Sequence, residues 1–275
     1  MDKYQILLTN DDGIQSPGLW AAAEVLSDLG FVTVAAPREQ SSGMGRSLPS
    51  TSDGIIQTET MRVGGKDWTV YAVGGTPAQA VLHGILEIMP RKPDLVVSGI
   101  NYGENVGTGV TISGTIGATL EGASHGIPGL AMSLQTDRSK HQSYSTEVDF
   151  SAAAWFTVLF ARQLLEKHFP PDVDVLKVDV PSDASRETAW QVTRIAKQRY
   201  YIPVAPKRKS WTEPGMVDYE EAAILDGKDE DTDVYVLRVK KLVSVTPLSL
   251  DMTSRVDFVE LNRFLRNGVV MKQKA

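Results

Sequence analysis

The sequence predicts an α/β protein built on a mostly parallel sheet, and three observations carry that prediction. Ile6-Leu7-Leu8-Thr9 is a continuous apolar run that ends in the turn-forming residues Asn10-Asp11-Asp12-Gly13, the pattern of a strand buried on both faces. Strand, helix and strand then follow one another within about thirty residues, a βαβ unit with a right-handed crossover. Two further runs of the buried type, residues 93–98 and 129–134, bracket a helical stretch of small residues.

The elements follow in order. Ser16 is placed to cap a helix and Pro17 suits its first position; residues 20–29 read as that helix, with Gly30 as its stop. Residues 31–36 are the second strand. Residues 55–60 and 69–73 read as two more, with a hairpin around Gly64-Gly65. Thr76 and Pro77 open a helix over residues 78–88. After the strand at 93–98 comes the glycine-rich loop Gly99-Ile100-Asn101-Tyr102-Gly103-Glu104-Asn105-Val106-Gly107-Thr108-Gly109. Ser113 then caps a helix over residues 116–124 that stops at Gly126, and the strand at 129–134 completes the core. Residues 150–168 have helical periodicity and residues 174–180 read as a strand. Beyond residue 182 the pattern weakens. Residues 197–233 are polar and charged, with Pro203, Pro206 and Pro214, and read as an extended arm. Residues 234–245 alternate enough for a strand that Thr246-Pro247-Leu248 breaks, and residues 256–265 form a terminal helix. We therefore expect a core over residues 1–182 and a C-terminal arm, strand and helix segment over 183–275 used in oligomer contacts, because structureless loops of that length are uncommon inside compact domains.

Composition excludes several function classes. With 275 residues the chain buries a sizeable core. A net charge of −6 argues against a broad nucleic-acid surface and so against a stable nucleic-acid complex. There is no cysteine, so disulfides, thiolate metal sites and cysteine nucleophiles are excluded; that composition fits a reducing cytoplasm. No apolar run approaches the length of a membrane span, and Met1-Asp2-Lys3-Tyr4 lacks the basic and apolar regions of a signal peptide. The expectation is a cytoplasmic protein without a membrane partner.

Function points to the ends of the strands. Asp11 and Asp12 fall just past the carboxyl end of the first strand, the edge where ligands bind in open α/β sheets. Neighbouring carboxylates repel unless a proton or cation lies between them. The same residues also suit a plain Asx turn, and the two readings stand side by side. The loop from Pro37 to Ser47, which carries Ser42, reads equally as a linker or as a contributor to that edge. Ser113-Gly114-Thr115 reads as an ordinary cap or as an anion cradle of free amides. Asp11, Asp12, Ser42 and Asn101 all offer oxygen, which suits Mg²⁺ or Mn²⁺ over zinc. Asn105, Ser113, Gly114 and Thr115 are the candidate phosphate contacts. The chain has no Gly-Lys-Ser or Gly-Lys-Thr of a Walker loop, no clean G-x-G-x-x-G after the first strand and no G-x-S-x-G. His83, His125, His141 and His168 lack metal-ligand spacing and read as helix or loop residues, and the five tryptophans are scattered.

The ordered set Thr9-Asn10-Asp11-Asp12-Gly13, Ser16-Pro17-Gly18, Ser41-Ser42-Gly43, Gly75-Thr76-Pro77-Ala78, Ser98 to Gly107, Ser113 to Ala118, Gly126-Ile127-Pro128 and Ser244 to Leu248 with Asp251 resembles the SurE survival-protein family of nucleotidases. The resemblance implies a Rossmann-like, three-layer α/β core and hydrolysis of nucleoside monophosphates to nucleoside and phosphate with loose base preference. It implies one divalent cation per subunit held by Asp11, Asp12, Ser42 and Asn101, with Asp11 and Asp12 catalytic. It also implies a C-terminal segment exchanged between subunits, giving a homodimer or homotetramer. Thr108, Gly109 and Ile112 stand where that family usually carries acidic residues and a tyrosine, Gln79 stands where it tends to have Asp, and its L-N-V-N-V-P-like strand is here Leu176-Lys177-Val178-Asp179-Val180-Pro181. Two rivals are a non-catalytic nucleotide-binding protein of the same fold and a phosphatase with an aspartyl nucleophile; the second usually wants D-x-D, and here the acids are adjacent.

Overall fold

The structure is a computed structural model that describes residues 3–141, 144–222 and 229–267. Its centre is a nine-stranded sheet. The strands within the first 182 residues are β1 (Tyr4–Thr9), β2 (Gly30–Pro37), β3 (Ile56–Val63), β4 (Lys66–Val73), β5 (Leu95–Tyr102), β6 (Gly129–Leu134) and β7 (Val175–Val180). The helices among them are α1 (Pro17–Leu26), α2 (Pro77–His83), α3 (Gly114–Ser124) and α4 (Ser151–Glu166). The C-terminal part adds β8 (Trp190–Val192), β9 (Tyr201–Val204), β10 (Asp218–Glu221), α5 (Asp233–Arg238), β11 (Val243–Leu248) and α6 (Phe258–Asn267). The sheet order is β3-β4-β2-β1-β5-β6-β7-β11-β8, and the six strands from β4 to β7 run parallel. Antiparallel β3 and β11 flank them.

Three layers follow from the alternation of β1. Ile6 and Leu8 pack with α1 and α4 on one face, whereas Leu7 belongs to the cluster formed with Val81 of α2 and Ala118 of α3 on the other. Both faces are buried, so the strand reads as an unbroken apolar run. Because β1 pairs with β2 on one side and β5 on the other, its carboxyl end is the point where the winding of the sheet changes direction. A crevice opens at such a switch point, outside the strand ends.

Several local expectations are corrected. Ser16 has the extended backbone of a cap, but its side chain makes no capping bond and its buried hydroxyl has no partner. Gly30 opens β2 instead of stopping α1; a Cβ there would lie 2.4 Å from the Tyr4 carbonyl oxygen, so it is a close-approach glycine. The second helix ends at His83 and passes into a π turn over Gly84–Ile88. Residues 234–245 are not one strand: residues 233–238 form α5, and the strand begins at Val243 and runs through Pro247. Pro247 is tolerated because β8 pairs only with Val243–Val245 and leaves residues 246–248 without a neighbour on that side.

The C-terminal part contributes β8 and β11 to the main sheet, while β9 and β10 pair as a separate antiparallel ribbon. Residues 223–228 of the expected arm lie outside the described residues. The terminal helix is found at Phe258–Asn267.

Candidate active site

The turn after β1 satisfies both readings of its sequence at once. The Gly13 N–H donates to Asn10 Oδ1 (3.2 Å) and Asn10 Nδ2 donates to the Gly13 carbonyl (3.0 Å), so Asn10 is the Asx residue. Gly13 takes φ +98°, a value that favours glycine. Asn10 thereby closes the turn by itself and leaves both aspartate side chains for other partners.

Those partners come from three separate loops. Asp12 Oδ2 accepts from the backbone N–H of Tyr102 (3.2 Å), beside Asn101 at the end of β5. Gln40 Nε2 lies 3.4 Å from Asp12 Oδ1, 3.1 Å from Ser42 Oγ and 2.8 Å from the His141 carbonyl oxygen, which puts Asp12 and Ser42 around one amide. Asn101 donates from Nδ2 to the Gly103 carbonyl at 2.7 Å, so the amide oxygen is spared. An interruption of the β5–β6 register between Ser98 and Asn101 re-aims that residue. Asp11 turns to the start of α3, where Thr115 Oγ1 donates to its Oδ1 at 2.6 Å. Gly114 is required there, since a Cβ would meet Asp11 Cβ at 2.7 Å.

Electrostatics single out the pair. Asp11 and Asp12 are 5% and 3% exposed. Burial raises Asp11 above the usual carboxylate range, opposed by the Thr115 hydroxyl and by the Thr115 and Gly114 backbone. Burial first, and then the charge of Asp11, push Asp12 well above that range. Every group that favours their charged forms is neutral. Two buried acids without a positive partner, beside a hydroxyl and a free amide oxygen, form a donor set suited to a hard divalent cation. Among the described residues no cluster of three or more His, Cys, Asp or Glu offers an alternative.

The candidate phosphate contacts have partners of their own. Ser113 Oγ accepts from the Ile116 N–H (3.2 Å), an ordinary cap, and the tip of α3 faces Asp11. The Asn105 N–H donates to Asp179 Oδ1 (2.7 Å) and its Nδ2 to Ser133 Oγ (2.9 Å). Gln79 completes a capping box with Thr76 and also bonds Ser52 Oγ and the Pro49 carbonyl. Its amide thus ties the loop after Ser47 to α2.

Three residues at this edge had gone unnoticed in the sequence. Gln40 bridges Asp12 and Ser42, and the Tyr144 hydroxyl donates to the Asp12 carbonyl at 3.0 Å. His141 stands against Gly103, where a Cβ would meet its Nε2 at 2.6 Å, and its Nδ1 lies 3.1 Å from the Tyr219 hydroxyl. Burial holds its imidazole toward the neutral form. His141 and Tyr144 sit in a polar loop without periodicity, so no local pattern marks them.

Comparison with known proteins agrees with this geometry. The family model described as "Survival protein SurE" matches residues 6–202. A protein of Methanosarcina mazei named 5′-nucleotidase SurE is 40% identical over 267 residues, which is 95% of this chain and 97% of that one. A protein of the same name from Thermococcus gammatolerans is 41% identical over 263 residues, covering 95% and 96%. The crystal structure of the SurE protein from Aquifex aeolicus superposes with a TM-score of 0.72 at 33% identity, covering 96% of this chain and all of that one.

Proposed function

The chain belongs to the SurE survival-protein family, and from that premise we propose how its site works. The protein is a 5′-nucleotidase, a hydrolase that splits nucleoside monophosphates into nucleoside and phosphate. The observation that carries our reading of the site is the buried Asp11–Asp12 pair with neutral partners only.

Asp11, Asp12, Ser42 and Asn101 hold one divalent cation, Mg²⁺ or Mn²⁺, in each subunit. When bound, the cation supplies Lewis-acid polarisation of the phosphoryl group and a lowered pKa for water. Asp12 serves mainly as a ligand, steadied by the Tyr102 N–H and Gln40. Asp11 orients the attacking water and takes its proton; the Thr115 hydroxyl fixes its carboxylate for that task. Asn105 and the Ser113-Gly114-Thr115 turn contact the phosphoryl oxygens, where fixed donors stabilise developing charge. Phosphate release from a nucleoside monophosphate panel, with and without Mn²⁺ or Mg²⁺, tests this reading: release should need the cation and fall sharply in Asp11→Asn. Metal-independent release, or full activity in that variant, would refute it.

Residues 183–275 form the contact between subunits in a homodimer or homotetramer. Support comes from the apolar residues they leave in water: Trp211, Met216 and Val217 in the β9–β10 ribbon, and Phe258, Val259 and Leu265 on α6. Exposed apolar groups of that number mark a contact surface. A monomeric mass in solution would contradict this. A cytoplasmic location belongs to the same proposal, in keeping with the cysteine-free composition. Among the described residues no helix is long and apolar enough to cross a membrane.

A further inference from the structure

The loop that carries Asn105 rests on a group of buried charges that the proposed chemistry leaves unused. Lys177 and Asp179 on β7 and Asp233 at the start of α5 are all 0% exposed. Lys177 Nζ is paired with Asp179 Oδ2 and lies 3.2 Å from Asp233 Oδ2. The two carboxylates then reach outward to the same loop. Asp179 Oδ1 accepts from the Asn105 N–H (2.7 Å), and Asp233 Oδ2 accepts from the Gly107 N–H (3.0 Å). Asp233 Oδ1 also accepts from the Ala196 N–H (2.9 Å). Val106, between the two donors, packs against Val234 and Leu237 of α5. Gly107 has φ +59° and no room for a Cβ, which would lie 2.6 Å from the Gln198 carbonyl oxygen.

A buried lysine on a central strand is costly unless paired, and two buried carboxylates are equally costly without a cation. The arrangement solves both by placing one ammonium between two acids, and each acid spends a remaining oxygen on a loop amide. Such satisfied polar networks rigidify what they touch. Ordinary core stability accounts for the ion pairs alone. It does not account for both acids ending on the backbone of one short loop at the active-site edge.

We propose that Lys177, Asp179 and Asp233 are positioning residues that lock the Asn105–Gly107 loop and thereby set how Asn105 meets the substrate phosphate. This rests on the assignment of Asn105 as a phosphate contact. The network ties that contact to α5, and so to the chain segment that follows the β9–β10 ribbon.

Two double variants test it, each free of the buried ammonium. In Lys177→Met/Asp179→Asn the amide oxygen still accepts from Asn105 and the amide N–H₂ faces Asp233. In Lys177→Met/Asp179→Leu the acceptor is gone. Both are compared with the wild type as metal-loaded enzyme, by steady-state kinetics on a nucleoside monophosphate and by hydrogen exchange over residues 103–109. The leucine variant should raise KM about tenfold with kcat within about twofold, the signature of lost ground-state positioning, and should exchange faster over residues 103–109. The asparagine variant should stay within about threefold of wild-type KM and keep its slow exchange. Equal KM and equal exchange in the two variants would overturn the proposal. Faster exchange with an unaltered KM would overturn the role of Asn105 while leaving the lock. A wild type that releases no phosphate would instead count against the nucleotidase mechanism, and the exchange comparison would still decide the lock. Should the leucine variant fail to fold, Lys177→Met/Asp179→Ser, with its shorter acceptor, takes its place and the same outcomes apply.

Discussion

Two pairs of buried aspartates lie at the same edge of this sheet, and they differ in one respect. Asp179 and Asp233 share the ammonium of Lys177, whereas Asp11 and Asp12 have only neutral partners. The first pair is closed: its oxygens are spent on an internal cation and on backbone amides. The second is open, because adjacent buried carboxylates call for a proton or an external cation. A pair with its own counter-charge supports a loop; a pair without one is a place for a ligand. Sequence patterns alone do not separate the two, since each reads as acids beside an apolar strand.

The comparison can be broken from either side. The largest effect should come from the closed pair. Lys177→Met leaves two buried carboxylates without their cation and should destabilise the fold by about 3–5 kcal/mol, read by chemical denaturation; a loss below about 1 kcal/mol would show that the network is not a true charge lock. At the open pair, Asp11→Asn should cut turnover by at least about a hundredfold while circular dichroism and the unfolding midpoint stay near those of the wild type. A large stability loss there would mean that this pair, too, is structural.

A smaller effect sharpens the contrast through pH. Burial pushes Asp179 up to about 6, against the lowering influence of Lys177. Between an ordinary aspartate value and that raised one, the folded state holds a proton that the unfolded chain has released. The contribution of Asp179 to stability therefore falls as pH rises through about 4 to 6. Asp179→Asn should flatten the measured stability–pH curve in that window, and an unchanged slope would assign the titration elsewhere. The smallest effect belongs to the helix tip beside Asp11: Ser113→Ala removes one capping bond and should cost about 1 kcal/mol of stability.

How much of this was legible beforehand follows from the same physics. The β1–α1–β2 frame and the site at its end could be read because a doubly buried strand is an unbroken apolar run and the turn after it needs Asn10 and Gly13. Ser42 and Asn101 were legible as strand-end residues. Residues 234–237, Val-Tyr-Val-Leu, have strand propensity, yet they form α5 because Val234, Val236 and Leu237 are buried on a helical register and Asp233 accepts from the Val234 N–H. Tertiary burial overrode local preference there. Lys177 was hidden because a lysine in a strand ordinarily signals a face turned to water, and this strand is buried along its whole length. Gln40, His141 and Tyr144 act through positions on irregular loops, where side-chain pattern carries no information about distance.

The central claim is that Asp11 and Asp12 form an open pair that takes a cation. Calorimetric titration of the protein with Mn²⁺, wild type beside Asp12→Asn, tests it most directly. The account predicts one bound ion per chain in the wild type and loss of that ion in the variant with the fold retained. Equal binding by both proteins, or none by either, would contradict it.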